Sequence, residues 1–497
     1  MEPVNGFHNQ REGAYVATVG LEVHAQLKTD TKIFCGCRTD FGAEPNTQTC
    51  PVCLGLPGAL PVLNDQAVRL ALRAGLATHC RIASRSLFAR KNYFYPDVPK
   101  NYQITQYDRP LCSEGWLELP VGGEARRYGI TRIHLEEDAG KLLHGEGDGS
   151  PTQVDLNRAG VPLIEIVTAP DMCSGEEAIA FVTHLREILV YLDVCDGNME
   201  EGSLRCDANV SICPQDDAEP GTKVEVKNMN SLKAVRQAVE YEIQRQSDIL
   251  ARGERVAQQT RGWDADVGRT RFMRSKEYVQ DYRYFPEPDL PPLAISDEEL
   301  RTEQQSLPEL PSEKRARWMQ QFGLPAYDAD LLSESPQLAD YFEATAIALG
   351  DGKAASNWIM SELLAVLRER NWSVESFPVT PADLAELLRH IQDGVLSSTL
   401  AKEVFAEMIA TGQGAATIVQ QKGLRQTSDK DAITTVVSDV LAQHPEEVRQ
   451  YARGKQKLFG FFMGEVMDAM GGRANPQIAH AILQEELSRR SRVDEES

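Results

Sequence analysis

The first three hundred residues alternate between apolar and polar positions. In VGLEVHAQL, Val19, Leu21, Val23, Ala25 and Leu27 fall on one side of an extended strand, leaving Glu22 and His24 together on the other, because successive strand side chains point to opposite faces. SLRCDANVSI repeats the pattern, with Leu204, Cys206, Ala208, Val210 and Ile212 against Arg205, Asp207 and Asn209. KVEVKN sets Val224 and Val226 against Glu225 and Lys227. Clusters of Gly, Pro and Asn separate these short strands, and helices are expected after Ser174 and after Ser231. The element implied is an antiparallel sheet with an apolar back and a charged front.

Near Leu293 the period changes. PEPDLPPL cannot continue a helix or a central strand, and SDEELRTEQQ, SEKRARWMQQF and NWIMSELLAVLRER then read as helices with polar breaks. Short helices ending in Gly follow: AEMIATGQG, IVQQKGL and KLFGFFMGEVMDAMGGRANP. The pattern predicts an α+β protein of three parts: a sheet domain over 1–295, a helical domain over 296–411 and a small helical tail over 412–497. A chain of 497 residues accommodates roughly three domains of about 150 residues.

Composition narrows the class. No run of eighteen apolar residues occurs, and MEPVNGFHNQRE has neither a signal-peptide core nor a basic amphipathic leader, so a cytoplasmic protein without a membrane partner is expected. The net charge of −22 excludes a protein that coats nucleic acid nonspecifically, since Lys and Arg drive such binding. From Gly412 onward eleven Lys and Arg stand against twelve Asp and Glu, so the acidity is concentrated upstream.

All ten cysteines precede Pro214. Cys35, Cys37, Cys50 and Cys53 form a CxC…CxxC arrangement with twelve residues between the inner pair, which suits a tetrahedral structural zinc with no open position for substrate. Cys80, Cys112, Cys173, Cys195, Cys206 and Cys213 have no ligand-like spacing and read as packing thiols in a reducing compartment.

The charged front has a bland reading, since antiparallel sheets normally wet one face. The residue types argue otherwise. Glu, His and Asp recur beside Arg, and HLEEDAGK adds Glu136, Glu137 and Asp138 in succession, a cluster that repels itself unless cations offset it. Oxygen ligands with an occasional imidazole suit magnesium or manganese, and magnesium commonly serves substrate phosphates. Arg90, Lys91, Lys141, Arg158, Arg205 and Lys227 are the cations available near these motifs. No GxxxxGK[ST] loop occurs, and GEGDG from Gly145 reads as a surface turn. RKNYFYPDVPKNYQITQYDRP and KEYVQDYRYFPEPD, the latter with Tyr278, Tyr282, Arg283, Tyr284 and Phe285, either close a core or wall one cleft that stacks on a nucleotide or RNA end.

With these residues in place, the chain resembles the B subunits of the tRNA-dependent amidotransferases, the GatB family, of the bacterial type without an inserted synthetase-like domain. VGLEVHAQL, FGAEPNT, RKNYFYPD, HLEEDAGK, VDLNRAGVPLIEIV, EEGSLRCDANVS, EVKNMNS and DYRYFPEPDLPPL look like its successive signatures, and the tail also looks like the family's. The resemblance implies a cradle domain, a helical domain and a tail of the YqeY type. It implies a ligase that uses ATP to phosphorylate the side-chain carboxylate of Glu-tRNA(Gln) or Asp-tRNA(Asn). Ammonia from an amidase-like A subunit then aminates it, and a small C subunit completes the heterotrimer.

Carried over by position, Glu22, His24, Glu136 and Glu137 resemble the family's magnesium-site residues, with Asp207 and Glu201 next. Lys91, Arg158, Arg205 and Lys227 are expected to contact phosphate. The four cysteines match a zinc site kept by some members. The family's tail binds the outer corner of tRNA, for which Lys455, Lys457 and Arg473 are the expected contacts. The alternative from another class is a noncatalytic tRNA-binding scaffold.

Overall fold

The computed structural model describes residues 15–143, 145, 151–215, 221–275, 282–424 and 429–495. The chain divides into two compact units, the first ending at Leu310 and the second starting at Pro311. The turn expected from Gly145 and the side chain of Tyr278 lie outside the described residues.

The strands of the first unit are β1 (Tyr15–Gln26), β2 (Arg81–Ile82), β3 (Arg85–Ser86), β4 (Ala89–Asn92), β5 (Tyr102–Thr105), β6 (Cys112–Val121), β7 (Glu124–Glu137), β8 (Lys141–Leu143), β9 (Gln153–Asp155), β10 (Pro162–Thr168), β11 (Leu204–Pro214), β12 (Val224–Lys227), β13 (Gln259–Asp264), β14 (Arg269–Ser275), β15 (Phe285–Pro286) and β16 (Leu293–Ala294). Twelve of them form one sheet in the order β14-β13-β12-β11-β1-β10-β7-β5-β4-β15, with β6 pairing β7 and β2. β1 is central, antiparallel to β11 on one side and β10 on the other. The expected all-antiparallel sheet needs one correction: β12 and β13 are parallel, so the sheet is mixed. The helix α3 (Leu232–Ala251) between them is the reason, because a helical crossover brings the chain back to start its next strand in the same direction.

Three helices close the apolar back. They are α1 (Asp65–Ala77), α2 (Gly175–Tyr191) and α3. Each starts at a side chain that satisfies an otherwise unpaired N–H: Asn64 for Gln66 at 2.9 Å, Ser174 for Glu177 at 3.1 Å and Ser231 for Ala234 at 3.1 Å. Phe181, Leu185, Leu189, Val235 and Val239 pack in one core with Val19, Leu21, Val23, Cys206 and Val210. Each such buried side chain contributes about 1.5–3 kcal/mol, so the pattern of alternation fixes which face of β1 and β11 is left for chemistry. Helix α4 (Asp297–Ser306), beyond the expected boundary at residue 295, opens with a Ser296–Glu299 capping box. It packs Leu300 on this same core and pairs Glu303 with Arg73 at 3.2 Å.

The second unit is helical throughout its described residues. One core gathers Trp318, Phe342, Leu384 and Val404, and another gathers Ile433, Val437, Phe462, Leu483 and Leu487. NWIMSELLAVLRER is not one regular helix: a π-helical turn, Ile359–Leu363, interrupts it. The helices Ser398–Thr411 and Ala415–Lys422 end at Gly412 and Gly423, both left-handed, the conformation glycine enters without a Cβ penalty. No helix among the described residues is long and apolar enough to cross a membrane.

Candidate active site

The polar face of the first unit's sheet floors a cavity of about 350 Å³. Strand register places its groups. His24 on β1 lies opposite Glu165 on β10 and Arg205 on β11, and Glu22 lies opposite Asp207. Asn209 lies opposite Glu225 on β12. Glu136 on β7 faces Leu163, and His134 faces Glu165. Two clusters with ligand atoms within 4.8 Å of one another result: His24, Glu136 and Glu165, and Glu22, Asp207 and Glu225.

In the first cluster His24 Nε2 stands 3.6 Å from Glu136 Oε1 and 3.4 Å from Glu165 Oε2. Burial by itself would lower the pKa of His24, but Glu165 and Glu136 outweigh it and hold the imidazole above its usual value. Burial would raise Glu165, and the opposing His24 and His134 instead hold it far below the usual carboxylate range. One buried and one half-buried carboxylate and an imidazole, with only histidines at ion-pair distance of those carboxylates among the described residues, fit a hard divalent cation.

The second cluster is differently finished. Lys227 bonds Asp207 directly and lies 3.4 Å from Glu225. Burial opposes its charge, but the acids outweigh that and raise its pKa. Asn209 donates to Glu22 at 2.9 Å and Thr260 to Glu225 at 2.7 Å.

Of the remaining expected site residues, Lys91 and Arg205 line the cavity. Lys91 is half-buried, and desolvation alone would lower its pKa, yet Glu136 and the tyrosines around it raise it. Arg205 donates to the buried Asp138 at 3.0 Å.

Three expectations are displaced. Glu137 borders the cavity but joins neither cluster. It receives Lys100 Nζ at 2.6 Å and the N–H of Ile104 at 2.8 Å. Arg158 is absent from the cavity lining; it donates to the carbonyls of Ala139 at 2.9 Å and Gly140 at 2.8 Å and stands 3.5 Å from Asp138. Glu201 is exposed in the turn before β11, outside the cavity lining. Arg90 is likewise committed, bidentate to Glu287 at 2.7 and 2.8 Å.

Both aromatic segments reach the cavity, through Tyr93 and Tyr282, and Lys91 lies 5.1 Å from the Tyr282 ring centroid. Tyr107 and Tyr284 stack at 3.9 Å.

The four cysteine sulfurs also lie within 4.8 Å of one another. Cys53 accepts the N–H of Cys50 at 3.1 Å and meets the buried Lys32 Nζ at 3.7 Å. The hydrogen bond from Cys35, then the Cys50 N–H and Lys32, bring Cys53 down to about 4 against its burial, while Cys35 is held high. Four sulfurs this close together fit a tetrahedral soft-ligand ion. The other six cysteines are free thiols, four of them buried.

Sequence reasoning did not single out Glu165 and Glu225 as members of these clusters, nor His134 beside the first. The signal was present: in PLIEIVT, Ile164 and Ile166 are buried and Glu165 between them points to the other face.

A sheet-floored cavity with acid and imidazole clusters, basic walls and no phosphate loop defines a strand-based catalytic domain. Its sequence matches the family model described as the GatB/GatE catalytic domain over residues 17–301, and a model described as the GatB domain over 340–487. The chain belongs to the GatB family. It is 53% identical over 470 residues to the B subunit of the aspartyl/glutamyl-tRNA(Asn/Gln) amidotransferase of Trichlorobacter lovleyi, covering 95% of this chain and 98% of that protein. It is 54% identical over 475 residues to the B subunit of the same enzyme from Geotalea daltonii, with coverage of 95% and 99%. The corresponding B subunit from a Thermoanaerobacter species is 52% identical over 475 residues, with coverage of 96% and 100%.

Proposed function

We propose that this chain is the carboxylate-activating component of a tRNA-dependent amidotransferase, acting in the cytoplasm. The side-chain carboxylate of Glu-tRNA(Gln) or Asp-tRNA(Asn) attacks the γ-phosphorus of ATP, giving an acyl phosphate and ADP. Ammonia, released from glutamine by an amidase-like A subunit held with a small C subunit, then attacks the acyl carbon, and phosphate leaves. A carboxylate is a poor acyl donor until it carries such a leaving group, and positioning with charge neutralisation supplies most of the catalysis. The observation that carries this reading is the His24, Glu136 and Glu165 cluster on the cavity floor.

In this reading those three residues hold magnesium, which when bound neutralises charge on the reacting phosphates. Lys91 and Arg205 receive the phosphate oxygens from the walls, and Tyr93 and Tyr282 flank the nucleotide or the tRNA end. Arg158 and Glu137 keep the loops that carry Asp138 and Lys100 in place. The sheet acts as a cradle for the acceptor end, and a helical domain precedes a tail from about residue 412. That tail meets the outer corner of tRNA through Lys455, Lys457 and Arg473. Cys35, Cys37, Cys50 and Cys53 hold a structural zinc, and Cys53 also lines the cavity, so the zinc loop braces its wall.

The test is a transamidation assay of the reconstituted heterotrimer on Glu-tRNA(Gln) and Asp-tRNA(Asn) separately, with and without His24→Ala. The variant is expected to lose ATP-dependent phosphorylation while glutamine hydrolysis persists. Unchanged phosphorylation refutes the site. Equal zinc content in wild type and Cys35→Ser refutes the zinc loop.

A further inference from the structure

We infer that His134 is a positioning residue for the two carboxylates of the first cluster, an inference that rests on reading that cluster as the divalent-cation site. His134 is 3% exposed and is absent from the cavity lining, whereas His24 lines it. The two imidazoles approach the acids from different strands, β1 and β7. His24 Nε2 faces Glu136 Oε1 and Glu165 Oε2, and His134 Nε2 stands 3.7 Å from Glu136 Oε2 and 3.6 Å from Glu165 Oε2. Glu136 thus offers one oxygen to each ring, and Glu165 is bracketed by both along the ladder His24, Glu165, His134.

The His134 distances exceed a formed hydrogen bond, so the ring spans both carboxylates and is committed to neither. Its other nitrogen, Nδ1, is buried without a hydrogen-bond partner among the described residues. A residue present only to fill space would be better served by an apolar side chain, which leaves no buried nitrogen unpaired. What His134 offers that leucine does not is a ring nitrogen, Nε2, able to donate toward one oxygen of each carboxylate. Donors behind metal-binding carboxylates fix their orientation, and losing one typically costs 10–100-fold in metal affinity. Thr105, whose hydroxyl lies 3.3 Å from Glu136 Oε2, supports only one of the pair.

The experiment titrates Mn²⁺ into the full-length chain and reads free ion by electron paramagnetic resonance. His134→Leu is expected to weaken binding about 10–100-fold. His134→Gln, whose amide nitrogen reaches the Nε2 position, is expected to restore most of that loss. Wild-type affinity in His134→Leu, or affinity in His134→Gln as poor as in His134→Leu, overturns the inference. If His134→Leu does not fold, His134→Asn takes its place, because its amide reaches only the Nδ1 position. His24→Ala is measured alongside: if it binds Mn²⁺ like wild type, the cation site itself is wrong, whereas a loss there with His134→Leu unaffected defeats the positioning role alone.

Discussion

β1 contributes to two clusters on one face of one sheet, and they end in opposite electrostatic states. Glu22 leans toward β11 and β12, where Asp207 and Glu225 are already bridged by Lys227. His24 leans toward β10 and β7, where Glu136 and Glu165 meet only imidazoles at ion-pair distance among the described residues. A lysine brings a fixed charge that closes a ring of acids. Histidines leave the carboxylates able to take a stronger cation, so the same strand alternation yields one cluster bridged by its own lysine and one without a fixed cation.

The largest expected effect tests that asymmetry directly. Glu165→Gln should lower magnesium-dependent phosphorylation on the order of 10²–10⁴-fold, and Glu225→Gln by much less; equal losses in a single-turnover assay would erase the distinction. Next comes Glu137, which has its own lysine. Lys100→Met should cost about 3–5 kcal/mol in urea unfolding by stranding a buried charge, and the double variant Lys100→Met/Glu137→Leu should recover most of it. A stable Lys100→Met variant would show that Glu137 is not held as a structural ion pair.

Opening the closed cluster is a gain-of-binding experiment. Lys227→Met should destabilise the metal-free chain by about 1–3 kcal/mol and add a second Mn²⁺ equivalent by calorimetry; an unchanged stoichiometry means lysine was not what kept cations out. Asp138 gives the pH dependence. Burial pushes it up, but Arg205 and Arg158 outweigh this and hold it below the usual range. Its contribution is therefore present above the ordinary carboxylate pKa and disappears as pH falls through the lowered folded value. Asp138→Asn should destabilise the chain at pH 7, with the gap to wild type closing as the pH falls below the ordinary carboxylate range. A gap that widens with acid reverses the sign. Smallest of all, exposed Glu201→Ala should stay within about 0.5 kcal/mol of wild type and keep full activity.

Much of the site was legible because period-2 alternation is local: β1 and β11 turned their faces as the sequence required, and Ser174 and Ser231 began their helices. What was not legible depended on pairing. Glu136 and Glu137 look equivalent in HLEEDAGK, yet only Glu136 joins a cluster, while Glu137 is taken up by Lys100 and the N–H of Ile104. Glu165 becomes a ligand candidate only because β10 lies beside β1, and adjacency of strands so far apart in sequence is not written in either. The carbonyls that hold Arg158 are equally invisible before the chain folds. Among the overall features, the parallel β12–β13 pair escaped notice because a sheet read strand by strand carries no direction.

The central place of β1 has a consequence during synthesis. It leaves the ribosome before every other described strand, yet Glu22 meets Asn209 across 187 residues of chain. At 5–20 residues per second that is a wait of about 10–40 s, during which the β1 edge that will meet β11 is unpaired. The first cluster needs only β1, β7 and β10, but the second waits for β11 and β12, so nascent chains ending before β11 leave one edge of β1 open and lack Asp207 and Arg205.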